Sequence, residues 1–141
     1  MNAYAKSADT YLTQRILGAS PEQQAALIME AGQLHLGRAI QYLTQNDPSA
    51  AARSFLRVSE VIMEATVRLD LENGGELAQN LSNLYAWWTR EIMDASYVKD
   101  TARLSAVVQA MGEIRQAWEQ YHEKKVGAAS ASKPNFGEEV V

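Results

Sequence analysis

The stretch from Leu69 to Trp88 constrains the fold of this chain most, because one helical pattern stops and another begins within it. Before it, apolar residues recur every three or four positions, as expected for the buried face of a helix. Asn73, Gly74 and Gly75 interrupt this pattern, since adjacent glycines make a helix interior unfavourable. The same spacing then resumes beneath an aromatic cluster. Two helices joined by a short turn are therefore predicted here.

Start signals elsewhere in the chain predict two more long helices, so that four are expected in all. Ser20 can cap the first of them, Pro21 suits its first position, and Gln23 can complete a capping box. Asp47 and Asp100 supply caps for the second and the fourth helix. Because the breaks between helices are short, neighbouring helices should run antiparallel. The predicted fold is all-α, an antiparallel up-down four-helix bundle with an amino-terminal helical arm and a flexible carboxy-terminal tail.

The apolar spacing also predicts which residues each helix buries. The expected seams are Ala51, Phe55, Val58, Ile62, Ala65 and Leu69 in the second helix, Leu77, Leu81, Leu84, Trp88, Ile92 and Ala95 in the third, and Leu104, Val107, Val108, Met111, Ile114, Trp118 and Tyr121 in the fourth. Leu56, Met63 and Val67 lie off the second seam, and Tyr85 and Trp87 lie beside the third. These off-seam residues need another explanation.

Three regions follow from these patterns. Residues 1–19 form an amino-terminal arm or short helix, residues 20–125 form the bundle domain, and residues 126–141 form a disordered tail, because that last segment is small, polar and aperiodic. A chain of 141 residues with 47% hydrophobic content can bury one core without disulfides or metal.

Composition argues against several classes of partner. The net charge is -4 and the basic residues form no stripe, so nucleic acid is not expected as a partner. No segment has the length or apolarity of a membrane span or an export signal, and there is no cysteine. We therefore expect a cytoplasmic protein without membrane insertion. The glycines match no phosphate-binding motif, and no cofactor is predicted.

Catalytic and metal sites are not expected either. A di-iron site in a bundle needs two Glu-x-x-His pairs, and only Glu119 and His122 have that spacing. The other histidine, His35, has Gly32 three residues before it. No serine or threonine lies in a hydrolase motif. The protein is predicted not to be an enzyme.

The residues that remain suggest a surface for binding helices. Large rings suit a bundle core, which is the favoured interpretation of Trp88 and Trp118. Off-seam apolar residues instead suit a groove for an amphipathic helix, because methionine and aromatic side chains adapt to apolar ligands. We take as candidate groove walls Leu56, Met63, Leu81, Tyr85 and Trp88. Periodicity leaves the segment from Tyr85 to Trp88 divided between core and ligand surface.

The order of several short motifs resembles that of the FliS family, cytosolic chaperones that bind flagellin before its export. The motifs are Tyr11, Ile16, Ala19-Ser20-Pro21-Glu22, the stretch LDLENGGELAQNL from Leu69 to Leu81, Leu84-Tyr85, Asp94-Ala95-Ser96, Lys99-Asp100 and Ile114-Arg115-Gln116-Ala117-Trp118. Together they cover about Tyr11 to Gln120.

The resemblance implies a bundle around which the disordered carboxy-terminal segment of flagellin wraps, folding into helices in apolar grooves. Covering that segment would prevent premature polymerisation and keep flagellin competent for export. A monomer forming a one-to-one complex is implied, with the flagellar export apparatus as a further partner. We also expect an arm containing Tyr11 and Ile16 to lie in a groove and to yield to flagellin, the alternative being a permanently packed first helix. The competing function is a helical adaptor or regulator that binds another amphipathic helix.

Overall fold

The computed structural model describes the backbone of residues 18–132 and the side chains of residues 18–128. Within this part of the chain it contains four α-helices and no strand. They are α1 (Pro21–Thr44), α2 (Pro48–Val67), α3 (Gly75–Tyr97) and α4 (Thr101–Ser132). The predicted all-α four-helix bundle is confirmed.

The helix starts follow the local chemistry that the sequence predicts. Ser20 caps α1, where its hydroxyl accepts from the Gln23 amide at 3.2 Å and the Gln23 side chain accepts from the Ser20 amide at 3.0 Å. This reciprocal pair satisfies two N–H groups that a helix end otherwise leaves open. Asp47 accepts from the Ala50 amide at 3.1 Å to cap α2. Asp100 plays the same part at the start of α4.

The turn between α2 and α3 depends on glycine. A Cβ on Gly74 would lie 2.4 Å from the Asp70 carbonyl oxygen and 2.6 Å from the Ala78 Cβ, and Gly75 has a φ of +62°. Both conditions disfavour a side chain. The Asp70 carboxylate accepts from the Asn73 amide at 3.1 Å and completes the turn.

The four helices form a ring in which each contacts its two neighbours, and α1 packs much more closely on α2 and α4 than α3 does. Small residues on α1 explain the close approach: a Cβ on Gly32 would lie only 3.0 Å from the Met111 sulfur of α4. On α3, by contrast, Tyr85 and Trp88 fill the centre of the ring with large rings. Their size holds α3 away from its neighbours.

The buried face of α3 differs from the predicted seam. Leu77 is exposed and Leu84 is half-buried, whereas Ala78 and Tyr85 are buried. The real seam continues the steps of three and four through Ala78, Leu81, Tyr85, Trp88, Ile92 and Ala95. The prediction for Leu77 was wrong because its neighbour Ala78, about 100° further round the helix, takes the buried position, whereas Leu84 packs against the core at its edge.

Helix α4 also departs from expectation. It has 32 residues and continues through residues 126–132, which were predicted to belong to the tail. Its predicted seam is only partly buried, since Leu104, Val107 and Met111 are enclosed but Tyr121 is exposed. The core therefore thins toward the carboxy-terminal half of α4. None of the four helices is long and apolar enough to cross a membrane.

Candidate partner-binding surface

A row of exposed apolar side chains runs along the outer surface of α2, and its first member, Leu56, also borders α3. Leu56, Met63 and Val67 are 61%, 67% and 73% exposed. Steps of seven and four residues return to nearly the same side of a helix, so these three side chains form one line. We call them, together with Met93 of α3, the α2–α3 stripe.

A shallow cavity of about 260 Å³ lies beneath this stripe, between the first half of α2 and the second half of α3. Small side chains such as Ala52, Ser59 and Ser96 line it beside Leu56 and Met93. None of its lining residues is charged. On the opposite side of α2, facing α1, the corresponding depression is lined by three charged residues, namely Arg57, Glu60 and Glu64. The apolar character is thus confined to one side of the helix.

A second apolar cavity, of about 360 Å³, opens at the end of the bundle where α1 and α3 begin and α2 ends. We call it the end pocket. Its lining is Pro21, Glu22, Gln24, Ala25, Ile28, Met29, Ala65, Arg68, Leu69, Asp70, Gly74, Leu77, Ala78, Leu81, Tyr85 and Trp118. Most of these side chains are apolar, and the charged ones come from the helix ends and the α2–α3 turn.

Tyr85 is held firmly as part of the end pocket. Burial raises the pKa of its phenol, and a hydrogen bond with the Trp118 side chain opposes this rise. Because an indole nitrogen can only donate, the Tyr85 oxygen is the acceptor. The ring also packs on Trp88 with centroids 5.3 Å apart. Trp88 itself is fully buried, and its indole N–H has no hydrogen-bond partner among the described residues.

The candidate groove residues therefore occupy three kinds of position. Leu56 and Met63 are exposed on the α2–α3 stripe. Leu81 and Tyr85 are buried and line the end pocket. Trp88 lies in the core behind Tyr85. The arm candidates Tyr11 and Ile16 lie outside the described residues.

The sequence reading missed Met93 and passed over Ile28 and Leu69 as possible ligand contacts. Met93 is 68% exposed and lies next to the buried Ile92. A signal was present, since a large apolar residue adjacent to a seam residue must point elsewhere. Ile28 and Leu69 gave no such signal, because they belong to ordinary helical seams. Both line the end pocket, where Ile28 is buried and Leu69 is half-buried.

The α1–α4 side contrasts with this surface because polar contacts close it. The Gln33 side-chain amide donates to the Val108 carbonyl at 3.2 Å, and the Arg115 guanidinium donates to the Gln33 side-chain oxygen at 3.4 Å. Nearer the bundle end, the Lys125 ammonium lies 3.0 Å from the Glu22 carboxylate. This hydrogen bond lowers the pKa of Glu22, against the opposing effect of burial.

The pair Glu119 and His122 takes part in the same polar side. Glu119 binds Arg115, and the His122 Nδ1 lies 3.2 Å from the Ser20 hydroxyl. Within residues 18–132, no three histidine, aspartate or glutamate side chains gather in a way that would hold a metal ion.

Comparison with known proteins identifies the family. Residues 3–125 match the model of the family described as flagellar protein FliS. The flagellar secretion chaperone FliS of Salmonella typhimurium is 30% identical over 110 residues, covering 77% of this chain and 82% of that protein. The protein of the same name from Vibrio cholerae is 26% identical over 121 residues, covering 85% and 86%. The chain therefore belongs to the FliS family of flagellar secretion chaperones.

Proposed function

We propose that this protein is a cytoplasmic export chaperone that binds the disordered carboxy-terminal segment of flagellin. The segment would fold into amphipathic helices against the α2–α3 stripe and the end pocket. Its apolar face would then be covered, which would prevent premature polymerisation and keep flagellin competent for export. Membership of a secretion chaperone family supports a secreted protein as the partner.

The observation that carries the proposal is the exposed row of Leu56, Met63 and Val67, which continues at Leu56 into an uncharged cavity between α2 and α3. Three large apolar side chains in one line favour the apolar face of a partner helix, which presents side chains at matching steps. Methionines suit such a surface because they adjust to different ligand shapes. Folding a disordered ligand has an entropic cost, so a long apolar contact is needed to compensate.

In this proposal, the candidate groove residues predicted from the sequence have different roles. Leu56 and Met63 would contact the bound segment directly. Leu81 and Tyr85 would form the floor on which a large apolar side chain of the ligand rests in the end pocket. Trp88 would act from behind by holding the Tyr85 ring in place. None of these parts requires catalysis, a nucleotide or a metal.

We further propose that the amino-terminal arm contacts the end pocket through Tyr11 and Ile16 and yields when flagellin binds. Pro21, the first residue of α1, lines the end pocket, and Gly18 and Ala19 line the neighbouring cavity between α1 and α4, so the arm joins the bundle near the rim of the end pocket. Deleting residues 2–17 should leave the helical content intact by circular dichroism and change the affinity for flagellin. Loss of folding in the deletion variant would instead make the arm a permanent part of the bundle.

Calorimetric titration tests the main proposal. Intact monomeric flagellin should bind to form a one-to-one complex, and flagellin without its carboxy-terminal segment should not bind. Equal affinity for both proteins, or no binding to either, would contradict the proposal. The second of these outcomes would favour a helical adaptor with another partner. Binding of the complex to the flagellar export apparatus would then be examined separately.

A further inference from the structure

The two ends of the α2–α3 stripe differ in charge. At the α2–α3 turn, Asp70, Glu72 and Glu76 are all exposed. The nearby cation, Arg68, is engaged, since its guanidinium binds Glu64 at 2.7 Å and the Gln24 side chain at 2.6 Å. A backbone hydrogen bond from Asn73 lowers the pKa of Asp70, so this carboxylate stays ionised at neutral pH. This end of the stripe is acidic.

The opposite end, where α2 begins and α3 ends, carries two exposed cations, Arg53 and Lys99. No ion pair within the described part of the chain engages either of them. Two carboxylates near this end are already paired, since Glu91 and Asp94 both bind the Arg103 guanidinium, at 2.8 Å each. The cations therefore stay available at this end, whereas the carboxylates stay available at the turn.

This charge difference favours one orientation of a bound helix, because the two ends of a helix carry opposite partial charges. The amino-terminal end carries partial positive charge from unpaired N–H groups, and the carboxy-terminal end carries partial negative charge. The length of α2 from Arg53 to Val67 is about 21 Å, which matches a ligand helix of about four turns. Such a helix would bring its two ends close to the two charged regions.

We infer that the ligand helix on the α2–α3 stripe lies with its amino-terminal end at the acidic α2–α3 turn and its carboxy-terminal end beside Arg53 and Lys99. It thus runs parallel to α3 and antiparallel to α2. This inference rests on the proposed function for its ligand, the carboxy-terminal segment of flagellin. It adds that the ligand helix binds in one orientation only, and that basic residues are preferred in its first turn.

Spin labels at the two ends test the direction, and the absence of native cysteine makes each attachment unambiguous. One variant is Glu72→Cys at the acidic turn, and the other is Ser49→Cys in the first turn of α2. Both side chains are exposed. Each labelled full-length protein is mixed with an isotope-labelled flagellin carboxy-terminal fragment, and paramagnetic broadening of the fragment is measured by NMR.

We expect the label at position 72 to broaden the first turns of the ligand helix and the label at position 49 to broaden its last turns. The reverse order would overturn the inference while leaving flagellin binding intact. Binding of the fragment without helix broadening from either label would place the ligand elsewhere and overturn it as well. No binding of the fragment at all would remove the proposed function, and this inference with it.

Charge reversal gives a second, independent readout. Glu72→Lys should weaken binding of the fragment about two- to fivefold, the usual effect of a charge at a helix end. The loss should shrink as salt is added, because the site is exposed. Glu113→Lys, on the polar α1–α4 side, is the matched control and should leave the affinity unchanged. Tighter binding by Glu72→Lys, or equal effects in both variants, would contradict the proposed direction.

Discussion

The α1–α4 side and the α2–α3 side of the bundle are built from similar amphipathic helices, yet their surfaces are opposite in character. On the α1–α4 side, close helix packing brings polar groups within reach of each other, as between Gln33 and Val108 or between Glu22 and Lys125. On the α2–α3 side, the large rings of Tyr85 and Trp88 keep the helices further apart. Apolar residues beside the seam then stay exposed. Helix separation thus decides which side is closed and which can accept a ligand.

The largest expected difference in stability is between alanine variants of two adjacent tryptophans, one buried and one exposed. Trp88→Ala should lower the free energy of unfolding by about 3 to 5 kcal/mol, because it empties the centre of the bundle. Trp87→Ala should lower it by roughly 1 kcal/mol, since that ring is 48% exposed. Urea denaturation of both variants measures the difference. Equal losses would mean that α3 is not held by the ring of Trp88.

Binding should respond most to the exposed stripe. Leu56→Asp should weaken flagellin binding by about thirtyfold or more, as expected when a charge enters an apolar contact. Its free energy of unfolding should change by less than about 0.5 kcal/mol, because the side chain is already in water. Calorimetry and urea denaturation measure the two quantities. Gln116→Asp places the same charge on the exposed α1–α4 side and serves as control. A similar loss of affinity in that variant would contradict the one-sided docking.

Alanine substitutions at two glycines test how much each position depends on the absence of a side chain. Gly74→Ala should destabilise the protein by about 1 to 3 kcal/mol, because its Cβ would meet the Asp70 carbonyl oxygen. Gly37→Ala in α1 should stabilise it by about 0.5 to 1 kcal/mol, since nothing lies within 4 Å of the added Cβ. Thermal unfolding followed by circular dichroism measures both. Destabilisation by Gly37→Ala would indicate that α1 packs still more closely than described.

The smallest expected effect concerns pH and the ion pair between Glu22 and Lys125. The pKa of Glu22 is lowered in the folded protein, chiefly by its hydrogen bond to Lys125. A lowered carboxyl pKa stabilises the fold above the unfolded value, and that stabilisation is lost as pH falls through the folded value. Lys125→Met should therefore be less stable than the original protein at pH 7, by a margin that narrows below about pH 4.5.

Unfolding midpoints of the original protein and of Lys125→Met, measured from pH 7 to pH 3, would give the stability difference at each pH. Glu22→Gln is the control, because it removes the titrating group. In the Glu22→Gln background, Lys125→Met should make no pH-dependent difference. A margin that stays constant from pH 7 to pH 3 would mean that Lys125 contributes through packing instead.

The sequence alone was enough to predict where α1, α2 and α4 begin, and the family. Ser20 with Gln23, Asp47 and Asp100 begin helices through hydrogen bonds to groups within three residues, so these features depend only on local chemistry. The glycine turn after α2 depends on equally local geometry. Four amphipathic segments with short connections then leave the antiparallel bundle as the simplest way to bury their apolar faces.

Only the tertiary structure decided which apolar residues are core and which are surface. Tyr85 and Leu77 are both large and apolar, and neither spacing nor composition separates them clearly. The bundle buries Tyr85 under Trp118 and leaves Leu77 at the rim of the end pocket. Burial depends on how near the neighbouring helices come, and that distance is set by side chains far away in the sequence. The exposed stripe and the end pocket follow from those distances.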